Sequence, residues 1–118
     1  MEARQIIEVS AHTEEGFKVM SEYGEWKVGM LRYNERFSRF DQLERHLLTD
    51  EVFVLTSGTA TLYTDNEAVE IKQNYVYTVP AGVWHHIVVS VDANVIVVEN
   101  RNTSIENTEK KYFEQEEK

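Results

Sequence analysis

Pro80-Ala81-Gly82-Val83-Trp84-His85 decides the reading of this chain, taken together with Glu44-Arg45-His46 and Thr49-Asp50-Glu51 upstream of it. Proline fixes φ, and glycine enters backbone conformations that other residues avoid, so Pro80-x-Gly82 predicts a turn. Such a turn aims the start of the next strand, and with it His85, toward an interior. Histidine nitrogen and carboxylate oxygen are the usual ligands of zinc, iron, manganese and nickel. Two strand-borne histidines, His46 and His85, and one carboxylate, Glu51, separated by a β-rich segment, are what a barrel needs to hold one divalent ion.

Working outward, strand signals recur at short intervals. Residues 5–10, 17–22 and 26–33 are rich in β-branched and aromatic types and are punctuated by Gly16 and Gly24. Residues 51–56 and 59–64 flank Ser57-Gly58, which reads as a tight hairpin. Asp65-Asn66 marks the next turn, followed by 68–72 and 75–79, then by 85–91 and 94–100 joined through Asp92-Ala93. Short strands with such regular turn signals predict an all-β sandwich or barrel, with no βαβ alternation.

Two segments read less simply. In 36–48, Phe37, Phe40, Leu43 and Leu47 have helical spacing. In a helix Glu44 and His46 stand about 200° apart and share no ligand; in an extended chain they point to one side. The strong strand that follows at once favours the extended form. Residues 106–118 carry five glutamates and three lysines, with Tyr112-Phe113 as their apolar anchor. An irregular or short helical acidic tail is expected there.

The pattern resembles the cupin superfamily of double-stranded β-helix (jelly-roll) barrels. Its first motif is Gly, five residues, His-x-His, three or four residues, Glu, six residues, Gly. Here His46, Glu51 and Gly58 fall in register, while Glu44 stands at the first histidine and Ser38 at the leading glycine. Its second motif is Gly, five residues, Pro-x-Gly, two residues, His, three residues, Asn. Pro80, Gly82 and His85 match, with Asn74 at the glycine and Val89 at the asparagine. The resemblance implies one domain over 1–118, with the barrel core over about 26–100 and the tail over 106–118. It also implies a metal held by His46, Glu51 and His85, with Glu44 beside it as a fourth ligand or as a general base. Two histidines and one carboxylate form a facial set that leaves positions open for substrate.

Arg45, Phe53, Trp84 and Tyr33 are candidate pocket residues, and Arg32 and Arg45 are candidates to orient an anionic group by paired hydrogen bonds. Plain core or solvated surface is the competing reading for each. His86 alternates away from His85 and reads as a surface or interface residue; His12 lies alone in a polar loop. A second, weaker similarity connects Leu43-Glu44-Arg45-His46 with ureidoglycolate lyases, in which case Glu44 and His46 form a metal-free acid–base pair. Isomerase, epimerase or lyase chemistry on a small polar or anionic metabolite is the leading expectation. A non-catalytic sugar-binding barrel, or a scaffold whose histidines are plain core residues, stays open beside it.

Composition narrows the field. The 118 residues suit a single domain, contain no cysteine and carry a formal charge of −9. Disulfides, thiolate ligands and a cysteine nucleophile are excluded. So acidic a chain repels phosphate backbones, so no nucleic-acid partner is expected. The longest apolar runs resemble Val95–Val98, far short of a membrane span, and no basic-plus-apolar leader pattern is present. A cytoplasmic protein without membrane contact is the expectation. Residues 51–56 and 85–91 are apolar on both faces, unlike a strand with one wet side. Either the N-terminal strands cover the outer face or a second copy does, and a homodimer is expected.

Overall fold

The structure, a computed structural model, describes residues 6–113. Its strands are β1 (Gly16–Tyr23), β2 (Trp26–Arg32), β3 (Gln42–His46), β4 (Glu51–Ser57), β5 (Ala60–Thr64), β6 (Ala68–Ile71), β7 (Tyr77–Val79), β8 (His85–Val89), β9 (Asn94–Asn100) and β10 (Thr108–Tyr112). Two one-turn 3-10 helices, Glu35–Phe37 and Ile105–Asn107, interrupt them. The strands form two five-stranded antiparallel sheets, ordered β1-β2-β9-β4-β7 and β10-β3-β8-β5-β6. This is the all-β jelly-roll expected from the sequence. No helix among the described residues is long and apolar enough to cross a membrane.

Alternation along each strand builds the core. Glu51, Phe53 and Leu55 of β4 and Val95, Val97 and Glu99 of β9 are buried, and so are Ile87 and Val89 of β8. These side chains meet Leu31, Leu62 and Ile71 between the sheets. Burying each Leu, Ile, Val or Phe contributes about 1.5–3 kcal/mol, so this layer is what holds the two sheets together.

The turn at Ser57-Gly58 is not a hairpin. β4 pairs with β7 and β9, whereas β5 pairs with β6 and β8, so the turn carries the chain from one sheet to the other. Asp92-Ala93 is the return corner between β8 and β9, and the two corners pack together. Gly58 has φ of 71°, and a Cβ there would lie 2.6 Å from the Ala93 Cα. Ser90 N donates to Thr59 O at 2.9 Å, and Ser57 Oγ to Asp92 O at 3.1 Å. The sequence signal for a turn was local, while the choice of sheet was made by partners far along the chain.

Of three further expectations, two change and the extended reading of 36–48 holds. Residues 6–10 form no strand, and Gln5 lies outside the described residues. The segment 36–48 holds a short 3-10 turn and then the extended β3, so Glu44 and His46 do share a face. The acidic tail is mostly strand over its described part: after the 3-10 turn that ends at Asn107, Thr108–Tyr112 pairs with β3 in the register Thr108↔His46 to Tyr112↔Gln42. Residues 114–118 of that tail lie outside the described residues.

Candidate metal centre

β3, β4, β8 and β9 each deliver one strand end to the same region between the sheets. Pro80-Ala81-Gly82-Val83 is a tight turn, closed by Val83 N donating to Pro80 O at 3.2 Å, with Gly82 at φ 81°. Two further bonds lock it to the first motif: Gly82 N donates to His46 O at 2.8 Å, and Ala81 N to Asp50 Oδ1 at 2.8 Å. A turn so anchored fixes where β8 begins, and therefore where His85 points. Its β3 register partner is Glu44.

His46, Glu51 and His85 come together. Glu51 Oε1 lies 2.8 Å from His85 Nε2, and Glu51 Oε2 lies 3.2 Å from His46 Nε2. The other ring nitrogens are tied down. His85 Nδ1 donates to Val83 O at 2.9 Å, and His46 Nδ1 lies 3.0 Å from Thr108 Oγ1. With Nδ1 so engaged, Nε2 of each ring is directed at Glu51 inside the cavity, the orientation that outer partners impose on metal-binding histidines. The residues fit a divalent ion: His46 Nε2 is buried with no hydrogen-bond partner, and the donor set is imidazole plus carboxylate.

Glu44 turns to Arg36, whose Nη2 donates to Glu44 Oε2 at 2.7 Å, yet the carboxylate still groups with His46 and His85 within ligand reach of one point. The fifth member of the cluster is Glu99, on the inward face of β9 behind Val95 and Val97. Its Oε2 lies 3.8 Å from His46 Nε2, and Lys27 Nζ lies 3.6 Å from its Oε1. His46, Glu51 and Glu99 form a second group that could hold an ion. The motifs do not contain Glu99. The signal for it was a single carboxylate on the inward parity of an otherwise apolar strand.

Charges in this cluster are set by burial against partners. Burial resists ionisation of Glu51, but the adjoining His46 and His85 imidazoles outweigh it and hold its carboxyl well below the usual range. Burial likewise disfavours charge on His46 and His85, and the adjoining Glu51 carboxylate overcomes it and raises both. Glu99 goes the other way: burial, then the nearby Glu51 carboxylate and its negative charge, push it up to about 8. Two carboxyl groups this close cannot both ionise cheaply, so one keeps a proton.

A cavity of about 270 Å³ opens onto the cluster. Phe53, Phe17 and Leu31 line its apolar part, and Arg36, Lys27 and Lys110 its cationic part. The volume is at the small end of metabolite sites. Of the expected pocket residues, Phe53 lines the cavity and Tyr33 packs against the core beside it. Arg45 and Trp84 do not line it. Arg45 Nε donates to Glu109 Oε1 at 2.8 Å, and its guanidinium stacks 4.5 Å over Trp84, with Lys111 4.4 Å from the same ring. Alternation explains this: a strand that aims Glu44 and His46 inward sends Arg45 out. Arg32 is also elsewhere, donating to Glu14 O.

His86 is not a surface residue. It is 2% exposed, its Nε2 donates to Arg36 O at 3.1 Å, and Phe37 and Phe40 stack against it. Burial lowers its pKa and keeps it neutral. His12 is buried too, its Nε2 donating to Gly16 O at 2.7 Å, and it is not among the cavity-lining residues.

Residues 40–99 match the family model of the cupin domain, Cupin_2. Solved structures share the fold at low identity. A cupin-2 domain containing protein from Shewanella frigidimarina NCIMB 400 is 20% identical over 79% of this chain and 85% of its own, with a TM-score of 0.62. The nucleoside dehydratase PAC13, from Streptomyces, is 14% identical over 82% of this chain and 78% of its own, with a TM-score of 0.67. KdgF from Halomonas sp. is 15% identical over 76% and 84%, with a TM-score of 0.59. Among proteins of curated function, none matches the sequence significantly.

Proposed function

We propose, from the premise that this chain belongs to the cupin domain family, that it is a metal-dependent enzyme acting on a small anionic metabolite, with lyase, isomerase or epimerase chemistry. One observation carries the reading: two buried imidazoles, each with Nδ1 tied to the protein, turn Nε2 toward one carboxylate inside a cavity. His46, Glu51 and His85 would hold the ion, drawn from zinc, manganese, iron or nickel. When bound, such an ion polarises a carbonyl or hydroxyl of the substrate as a Lewis acid.

The remaining roles belong to side chains. Glu44 faces the cavity from β3, within reach of the same point as His46 and His85, and moves the proton that elimination or epimerisation requires. Arg36 holds that carboxylate in place through Oε2. Lys110, exposed at the rim, and Arg36 attract and orient an anionic group in a chain whose net charge is −9. Phe53, Phe17 and Leu31 exclude water from the reacting face. The Streptomyces PAC13 barrel, a nucleoside dehydratase with solved uridine-bound forms, supports the lyase branch.

The protein would act as a homodimer in the cytoplasm. Val28, Met30, Val52, Val54, Ile96 and Val98 form an uncharged outward stripe across β2, β9 and β4, where repulsion between two acidic copies is least. β1 extends this sheet at its edge, and the stripe side chains are half-buried, with a second copy as the proposed cover.

Elemental analysis of untagged protein and of His85→Ala tests the reading, followed by assays on sugar acids and small carboxylates. Near-stoichiometric metal in the parent, lost in the variant, is the expected result. Parent protein that neither contains metal nor takes it up overturns the metalloenzyme. Metal and ligand binding without turnover of any panel member would replace it with a binding module.

A further inference from the structure

Within the cluster, among the described residues, two ligand-type atoms have no hydrogen-bond partner: His46 Nε2 and Glu99 Oε2. Their side chains are 8% and 7% exposed, and they face each other at 3.8 Å. That gap is too long for a hydrogen bond. It suits two donors that each reach about 2.0–2.2 Å to a shared cation. Glu51 Oε2, 3.2 Å from His46 Nε2, completes a triangle of ligand atoms within 4.8 Å of one another. The second oxygen of Glu99 is engaged elsewhere, since Oε1 faces Lys27 Nζ at 3.6 Å and Lys27 in turn donates to Thr103 O at 3.1 Å. Lys27 thereby sets the orientation of the carboxylate and leaves Oε2 directed at the histidine.

We propose that Glu99 is a metal ligand, so that β9 adds a carboxylate to His46 and Glu51 on the β4–β9 side of the cavity. This rests on reading the cavity as a metal centre. The consequence is a donor set richer in oxygen than two imidazoles and one carboxylate, which narrows the advantage of zinc over harder ions such as manganese. It also separates two tasks that the motif residues alone would crowd together. Glu99 serves the ion from one wall, while Glu44, held by Arg36 on the other, stays free for the substrate.

Chelator-stripped, untagged protein is titrated with manganese(II) and zinc(II) by calorimetry, in the parent, Glu99→Gln, Glu99→Asp and Glu51→Gln. The electron paramagnetic resonance spectrum of bound manganese is recorded alongside, and thermal midpoints of the metal-free forms show that each variant is folded. Glu99→Gln should weaken manganese binding by at least about tenfold, since even outer-shell partners are worth that much. It should change the spectrum of whatever manganese remains, and Glu99→Asp should recover part of the affinity. Parent-like affinity and spectrum in Glu99→Gln, with binding lost in Glu51→Gln, would overturn Glu99 as a ligand and leave the metal centre intact. A parent that binds neither ion would overturn the metal centre itself, and Glu99's part in it.

Discussion

Glu44 sits opposite His85 across the β3–β8 pairing, yet its carboxylate is bonded to Arg36 at 2.7 Å. The Arg36 side chain is 39% exposed, so the pair adds less than about 1 kcal/mol to stability. Its value is positional, because Arg36 comes from the 3-10 turn before β3 and reaches over the cavity. Arg36→Ala should lower stability by less than about 1 kcal/mol in urea unfolding. The same variant should lose the thermal stabilisation that small carboxylates give the parent. Undiminished stabilisation by carboxylates would remove Arg36 from ligand recognition.

Thr108 makes the described part of the acidic tail a member of the site. Its hydroxyl meets His46 Nδ1 at 3.0 Å, from the register position directly across β10 and β3. Thr108→Val keeps the shape of the side chain and removes the partner. Metal affinity should fall about 10- to 100-fold, the range for outer-shell partners of metal-bound histidines, with the fold unchanged by circular dichroism. An unaltered affinity would mean that strand packing alone orients the imidazole.

Acidity should show directly in the metal-free protein. Glu99 is pushed up to about 8 from an ordinary 4.5, first by burial and then by Glu51. Between those values the folded state keeps a proton that the unfolded chain has released, so stability falls as pH rises. His46 and His85 are raised from 6.5, so their contribution is complete below that value and lost as pH climbs through the folded-state values. Glu51 is lowered, and its contribution exists above 4.5 and vanishes only as pH falls toward its depressed value. The thermal midpoint of chelated protein should therefore decline from about pH 5 to about pH 9, and Glu99→Gln, which mimics the protonated carboxyl, should flatten the decline. A midpoint that rises over this range would contradict a protonated Glu99.

The residues legible in the sequence are those fixed by local backbone chemistry. Pro80, Gly82 and Gly58 sit at turns whose conformation their own types demand, and such turns set where His85 and Glu51 point. Long-range pairing was not legible. β10 is a charged edge strand, Thr-Glu-Lys-Lys-Tyr, whose partner β3 lies far earlier in the chain, so composition alone reads it as a tail. The corner at Ser57-Gly58 has a hairpin's residues and joins two sheets instead. Glu99 is hidden because a motif names positions, whereas a buried carboxyl among β9 valines shows only once the inward face is known. Arg45 and Trp84 illustrate the converse, since strand alternation already directs Arg45 away from the face shared by Glu44 and His46.

Asn74 and Gly58 show how far backbone conformation constrains the two motifs. Asn74 stands where the second cupin motif has glycine, and its φ is 72°, so it keeps the left-handed turn that glycine would supply. Asparagine tolerates this conformation better than other residues with a Cβ. Asn74→Gly should be neutral or slightly stabilising, and Asn74→Ala should cost about 1–2 kcal/mol. Gly58 has both the positive φ and no room, its absent Cβ facing the Ala93 backbone nitrogen at 2.7 Å and Cα at 2.6 Å. Gly58→Ala must strain its own backbone and push apart the two corners that join the sheets. A loss of about 2–5 kcal/mol follows from strain plus overpacking, against the smaller loss for Asn74→Ala. Urea unfolding of the three variants checks the order. Equal losses for Gly58→Ala and Asn74→Ala would mean that the corner opens without cost and that the contact with Ala93 does not fix how the two sheets are joined.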